Sequence, residues 1–387
     1  MAVYKLFPLQ DASIYSFYPF MNTGIDSIIE AGNINVNINP VPQVFRYLVE
    51  FDQVEINSVV DSIVGGAQFS SSLRNYVANA QGIQFDTNLE IYPISGSWNN
   101  GTGTYLDVPI TTNGVSWKSM RYSGSGGGLW ETDPNQYDTY VTASWSGSEN
   151  KGGCNWYTGS SDTNAQIEVT QSFTLRSIKD LNVNVTDIVK TWYSSSKGIA
   201  GTYTNIENNG FIVKWEDTLE FVTNDNSQPI IQYYSVDTNT IYPPQLEIKW
   251  NDQSFDTGSL PPIQTTDFYA ALDSNPGIFY SESINRFRIN VRPDFPARTF
   301  QTSSIDTVNH YLNSSSLYAV KDLDTNEFVI DFDSEFTKIS CDSTSNYFDI
   351  YMNGLQPERY YTILIQTTIS GSTIVKDDNY NFKVVNG

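Results

Sequence analysis

The stretch Val44-Phe-Arg-Tyr-Leu-Val-Glu-Phe-Asp52 decides the fold class. Its alternation puts Phe45, Tyr47, Val49 and Phe51 on one side and Arg46, Leu48 and Glu50 on the other. That period of two is the signature of a half-buried antiparallel strand. Gly210-Phe-Ile-Val-Lys-Trp215, Gln245-Leu-Glu-Ile-Lys-Trp250 and Arg286-Phe-Arg-Ile-Asn-Val291 repeat the pattern. Asn, Gly and Pro clusters between these runs suit turns. Two segments read as short helices instead. Ile56, Val59, Val60, Ile63 and Val64 form an i, i+3, i+4 stripe that Gly65-Gly66 ends. Thr186-Asp-Ile-Val-Lys-Thr-Trp-Tyr193 opens on capping chemistry, with Asp187 read as the N-terminal cap and Ile188, Val189 and Trp192 on one face.

Composition supports an all-β chain. Aromatic residues reach 14% while charged residues stay at 17%, so polarity comes mainly from Asn, Ser, Thr and Gln, a blend that favours strands and turns. At 387 residues the chain exceeds one ordinary sandwich, and two or three domains are expected. Acidic residues number 43 against 21 basic ones, a formal charge of −22. A chain of that sign is repelled by a phosphate backbone, so no nucleic-acid partner is expected.

No cofactor, metal or catalytic constellation stands out. Carboxylates are abundant but never take the spacing of a calcium loop. Asp331 and Asp333 read as neighbours on one solvent-facing side of a strand, which is no glycosidase pair. Cys154 and Cys341 are too far apart for metal-ligand spacing and read as free, inert thiols. His310 is the single histidine and reads as structural. The Gly101-Thr-Gly103 and Gly126–Gly128 runs lack the Gly-Lys-Ser/Thr of a phosphate loop. The opening Met1-Ala-Val-Tyr-Lys-Leu-Phe7 has no long apolar run, and no segment approaches the length of a membrane span, so no membrane partner is expected. The expectation is a non-catalytic protein made in the cytoplasm; if it acts outside the cell, it travels there as part of a larger particle.

A boundary fits Asn251-Asp-Gln-Ser-Phe-Asp-Thr-Gly-Ser-Leu-Pro-Pro262, dividing residues 1–255 from residues 263–387. Gly124–Gly128 and Gly147–Asp162 read as long Gly- and Ser-rich loops of the first domain. Several pieces of that domain occur in a telling order. Leu9-Gln-Asp-Ala-Ser-Ile-Tyr15 leads to Asn22-Thr-Gly24, then to Arg46-Tyr-Leu-Val-Glu-Phe-Asp52 and Asn88-Leu-Glu-Ile-Tyr92. Trp98 and Trp117 follow, then Val183-Asn-Val-Thr-Asp-Ile-Val-Lys-Thr-Trp192, Asn209-Gly-Phe-Ile-Val213 and Pro243-Pro-Gln-Leu-Glu-Ile-Lys-Trp250. In this order they resemble a DNRLRE-type domain, which implies a jelly-roll-like antiparallel β-sandwich. The Asp-Asn-Arg-Leu-Arg-Glu core that names the family is absent, and Tyr233-Tyr-Ser-Val-Asp237 stands near its place.

In the C-terminal part, Leu355, Pro357 and Tyr361 form a Leu-x-Pro-x-x-x-Tyr arrangement. It is similar to the tyrosine corner of fibronectin type III and immunoglobulin-like sandwiches. The flanking Tyr347–Met352 and Tyr361–Gln366 runs are expected to pair with each other. Together, the two sandwiches resemble structural proteins of tailed-phage virions, contractile-tailed and marine cyanophage-like ones included. The resemblance implies a non-catalytic adaptor or spacer in the neck, tail or baseplate, with other virion proteins as partners.

Docking residues are sought in Arg292-Pro-Asp-Phe-Pro-Ala-Arg-Thr-Phe300, an extended segment poor in ladder donors. Arg292, Arg298 and Phe300 are its candidate anchors, since arginine and aromatic side chains are enriched in interface cores. An ordinary crossover between strands is the other reading of the segment. The alternative function is carbohydrate binding, with a glycan stacked on Trp98, Trp117, Trp130, Trp145 and Trp156 if these are exposed. Core or loop-anchoring roles are the commoner use of tryptophan.

Overall fold

The computed structural model describes residues 2–34, 43–63, 68–83, 86–121, 128, 130, 153–157, 167–199, 206–220, 229–273, 275–296 and 308–387. The protein is all-β and divides into two compact units. One comprises Leu6–Ile63 with Ser70–Glu247, and the other Ile248–Gly387 with Met1–Lys5 and Val64–Phe69.

The principal sheet of the larger unit has the strand order Val77–Gln81, Ile230–Tyr234, Ile28–Ile34, Gln43–Phe51, Phe211–Trp215, Thr87–Pro93, Val169–Phe173. Gln43–Phe51 is its centre. Pro8–Tyr15 runs antiparallel along one edge of this strand, with Asp11 opposite Val49 and Tyr15 opposite Phe45. Ile28–Ile34 takes the start of the other edge, with Gly32 opposite Phe45, and Phe211–Trp215 takes its end, with Phe211 opposite Val49. The strand is also buried on both faces, not half-buried as its alternation suggests: Val44 through Val49 are all inaccessible. On one face Val44 and Leu48 pack with Ile212 and with Trp98, Trp117, Trp130 and Trp156. On the other, the Tyr47 ring meets Tyr233 edge-on, and Asn75 Nδ2 donates to the Tyr47 hydroxyl at 2.8 Å. Asn75 ends Phe69–Asn75, which pairs with Leu181–Asn184.

Both helices form, with differences at their ends. Asp52 caps Gln53–Ser58 by accepting from the Val54 amide, and the chain then widens into a π turn over Val59–Ile63. Thr186–Lys197 lays Trp192 against Phe211, with ring centroids 4.6 Å apart. Asp187 does not cap this helix. Asn184 Oδ1 receives the Thr186 amide at 3.0 Å, and Asp187 sits inside the first turn.

Arg46 is the exception in this apolar centre. Its guanidinium meets Glu220 in a two-pronged pair, Nε to Oε1 at 2.8 Å and Nη2 to Oε2 at 2.7 Å, and Nη1 donates to the Gly153 carbonyl at 2.7 Å. The Trp117 and Trp156 rings each lie 5.1 Å from the guanidinium carbon. Gly153 adopts φ +87°, and a Cβ there would stand 2.8 Å from Arg46 Nη1, so the close approach requires glycine. Lys214 adds a second buried cation, 2.8 Å from Glu90 and 3.8 Å from Glu220. Burial pushes the Glu90 carboxyl up, against the opposing pull of Lys214. Two buried cations thus face one fully buried carboxylate, Glu220, and one partly buried, Glu90.

The second unit pairs two sheets. One has the order Phe268–Asp273, Ile284–Pro293, Asn346–Tyr351, Ser340–Cys341; the other has Ile278–Tyr280, Ser372–Val385, Tyr360–Ile369, Leu317–Asp322, Phe328–Ile330. This is the strand order of an immunoglobulin-type sandwich, A-B-E-D against G-F-C. Its core is a run of rings from both sheets: Tyr318 stacks on Phe348 at 4.2 Å, Phe348 on Phe287 at 5.7 Å, and Phe287 meets Phe382 at 5.6 Å. Asn346–Tyr351 and Tyr360–Ile369 do not pair, contrary to the sequence expectation, but lie in opposite sheets. The corner that joins them explains this. The Tyr361 hydroxyl donates to the Gln356 carbonyl at 3.0 Å, and Leu355 is buried beneath.

Residues 251–262, read as the domain boundary, are tied into this unit. Asp256 N donates to Cys341 O and Cys341 N to Ser254 O, each at 2.9 Å, and Gln253 Nε2 reaches Ser314 O at 2.8 Å. The chain passes between units within the Gln245–Trp250 strand instead.

Two stability predictions follow from these contacts. Tyr361→Phe leaves the Gln356 carbonyl unpaired and should cost about 1–3 kcal/mol, read as an earlier denaturant midpoint of the second unit. Glu220→Ala leaves Arg46 charged in an apolar setting, and about 3–5 kcal/mol should be lost. Arg46→Met combined with Glu220→Leu should recover much of that loss in the same denaturation experiment.

Candidate functional site

The sheet end at Tyr15 gathers aromatic and acidic side chains from several strands. Tyr15 closes Pro8–Tyr15 and stacks on its cross-strand partner Phe45, with ring centroids 5.6 Å apart. Gly32 lies opposite Phe45 on the other edge, where a Cβ would stand 2.4 Å from the Phe45 ring; only glycine leaves the ring its place. Glu30 precedes it by two residues on the same face. Its Oε1 accepts from the Tyr15 hydroxyl at 2.6 Å, and its Oε2 from Gln232 Nε2, across the strand pair, at 2.7 Å.

A loop brings the remaining wall. Tyr105 stands 5.1 Å from Tyr15, ring to ring, and its backbone amide donates to Asp26 Oδ2 at 3.0 Å. Buried Asn22 holds the loop by donating to the Asn100 and Val115 carbonyls at 2.6 and 2.8 Å and accepting from Gly103 N at 2.7 Å. Asp107 pins the far side, accepting from Thr104 N at 2.8 Å and from Thr111 Oγ1 at 3.0 Å. These hydrogen bonds, Thr104's first, hold the Asp107 carboxyl below its usual range.

The result is a cleft of about 380 Å³ lined by Tyr15, Phe17, Phe45 and Tyr105, with Asp26, Glu30 and Gln232 among its polar groups. None of its described lining residues is basic. Burial, with Glu30 and Asp107 nearby, pushes the Asp26 carboxyl up to about 6 although the Tyr105 amide opposes it. Burial likewise raises the Tyr15 phenol well above its normal value, and Glu30 adds to the shift. Both phenols are neutral at physiological pH, and Tyr15 is a donor to Glu30. The cleft can therefore receive a group that stacks on rings and brings positive charge or donors.

The sequence-derived candidates lie elsewhere. Arg292 is a half-buried strand residue opposite Tyr269, its guanidinium carbon 5.6 Å from that ring, and its ladder position differs from the irregular arm expected. Arg298 and Phe300 lie outside the described residues. Phe295, between them and the strand, is 87% exposed. Trp98, Trp117, Trp130 and Trp156 are buried, and Trp98 and Trp130 donate their indole N–H to the Asn209 and Ser116 carbonyls. Trp145 lies outside the described residues. Asp331 and Asp333 follow the Phe328–Ile330 strand instead of lying on it, and Asp333 caps a turn by accepting from the Glu335 and Phe336 amides. Cys154 and Cys341 are buried and are not bonded to each other, and burial pushes the Cys341 thiol up to about 11. His310 donates its backbone amide to Val291 O at 2.8 Å, with its ring Nδ1 3.2 Å from the Val308 carbonyl.

No protein-family model and no curated protein matches the sequence. Among solved structures, a β-glucuronidase from Parabacteroides merdae is similar at 9% identity with a TM-score of 0.16. That match covers 96% of this chain and 36% of the glucuronidase, so this chain spans about a third of its length. A likeness of that size carries no argument about fold or activity.

Asn22→Ala should release the Gly103–Asp107 loop. Lost hydrogen bonds to buried backbone groups should cost about 2–3 kcal/mol. Amide hydrogen exchange at Gly103 and Tyr105 should accelerate beyond any global change.

Proposed function

We propose that the protein is a non-catalytic structural protein of a tailed-phage virion, an adaptor or spacer in the neck, tail or baseplate that docks on other virion proteins. The observation that carries the reading is an exposed apolar stripe on the immunoglobulin-type unit. Ile278 and Tyr280 lie two apart on a three-residue edge strand and are 58% and 63% exposed. Lys383 pairs with Ile278 on one side and with Tyr360, 52% exposed, on the other, so apolar side chains on the two outer strands flank a single lysine on the middle one. Aromatic and aliphatic side chains at a sheet edge suit lateral docking. Their placement supports a contact surface of the kind an adaptor needs, and the resemblance of the two-sandwich sequence to virion proteins supports a virion as the assembly. Glycan binding through the loop tryptophans has less support, because the four described ones are buried.

Peptide mass spectrometry of purified particles tests the reading. The chain should be present at fixed stoichiometry, and Tyr280→Ser with Ile278→Ser should lower its incorporation at least several-fold without moving the melting temperature. Absence of the native chain from particles would refute the virion role; normal incorporation of the variant would move the docking surface elsewhere.

A further inference from the structure

The cleft beside Tyr15 is lined on its walls by rings and at its base by carboxylates, a combination the adaptor reading does not use. We infer that it is a binding site for an organic cation, a guanidinium or ammonium side chain presented by a partner polypeptide, received against the exposed ring of Tyr105 and neutralised by Glu30 and Asp26.

Three features point to a cation. First, both oxygens of Glu30 are held by neutral donors, the Tyr15 hydroxyl and the Gln232 amide. Asp26 is held by the Tyr105 backbone amide. These bonds fix the carboxylates in place but leave their charge uncompensated, and no ion pair reaches either among the described residues. Charge complementarity therefore selects a positive occupant and rejects phosphate or a carboxylate. Second, the walls are aromatic faces. Tyr15 lies 5.5 Å from Phe17 and 5.1 Å from Tyr105, and Tyr105 is the exposed member of the group. A guanidinium is planar and weakly hydrated and gains from ring faces, whereas a divalent metal seeks a full shell of oxygens. Among the described residues no acidic or thiol cluster suited to a metal occurs. Third, the site is built to stay open. Tyr105 is 42% exposed although it is tied down through Asp26, and Ser27 beside it is exposed as well. Phe20, Ile25 and Leu106, each about half-exposed, belong to the segments that carry the cleft and offer apolar contact for the stem and flanks of a basic residue.

The inference stands on the cleft and holds whether or not the chain belongs to a virion. The test is calorimetric titration of the full chain at pH 7.5 with a capped Gly-Arg-Gly peptide, its citrulline counterpart and a methyl glycoside. The arginine peptide should bind saturably at one site, and the neutral citrulline peptide at least ten-fold more weakly. Glu30→Gln and Tyr105→Ala should each weaken the arginine peptide by at least ten-fold. Tyr105→Ala removes only a half-exposed ring and should leave the melting temperature unchanged, which guards against a folding defect in Glu30→Gln. Equal binding of the arginine and citrulline peptides would overturn the inference. So would arginine binding that both variants leave intact, since that is general attraction to an acidic surface. Glycoside binding abolished by Tyr105→Ala would make the cleft a sugar site, and an arginine peptide that never binds would leave it without a cationic ligand.

Discussion

The larger unit is organised around a charge that cannot be discharged. Arginine keeps its proton at any pH a folded protein meets, so an arginine in the middle of a central strand must find its counter-charge inside the protein. Arg46 finds it 174 residues away in Glu220 and takes a further carbonyl 107 residues away from Gly153. Two distant segments are therefore obliged to arrive at one point on the Gln43–Phe51 strand. Trp117 and Trp156 flank the guanidinium, so the charge and the aromatic core are one structure and not rival tenants of the same space. An ion pair of this kind gives little net stability, because desolvation of both partners offsets their attraction. Its effect is on uniqueness: any packing that leaves Glu220 elsewhere strands the arginine.

This constraint was not legible in the sequence, and the reason is geometric. Alternation along Val44–Asp52 assigns side chains to two faces correctly, but it does not say whether each face is covered. Arg46 and Glu50 mark one face as polar, and a strand at a surface would present it to water. The cover comes from segments around Trp98–Trp130 and Gly153–Trp156, whose contribution is a set of long-range contacts without periodicity. The same limit explains the domain edge. Residues 251–262 have the composition of a linker, yet Gln253, Ser254 and Asp256 are spoken for by backbone partners near Ser314 and Cys341.

What is local was legible. The tyrosine corner closes a hydrogen bond over five residues, from Tyr361 to Gln356, so its spacing alone specifies its geometry. The two helices were visible for the same reason, through stripes confined to one or two turns. The reading differs from the structure where a choice depends on neighbours: Asn184, not Asp187, meets the orphan amide at the start of Thr186–Lys197, because the helix begins at Thr186 and Asp187 already lies within its first turn. The cleft is the extreme case. Tyr15, Glu30, Phe45, Tyr105 and Gln232 come from five separate stretches, and no local pattern joins them.

The two candidate contact surfaces differ in what they ask of a partner. The Ile278, Tyr280 and Tyr360 stripe is neutral and apolar and is indifferent to the partner's charge beyond the single Lys383. The cleft beside Tyr15 is acidic and selects a cation. Superposed on both is the formal charge of −22, which acts at longer range than either. Over a screening length of about 8 Å at physiological salt, that charge repels a second copy of the chain and attracts a basic surface before any contact forms. Self-association through the apolar stripe therefore works against the field, whereas capture by a basic partner works with it. A protein of this charge gains specificity for unlike neighbours in its approach and spends its local chemistry on register: the cleft takes one side chain at a defined point, and the stripe buries the surface around whichever contact is made first. On these grounds heterologous contact, with basic side chains on the partner, is the association that both the long-range and the short-range physics of this molecule favour.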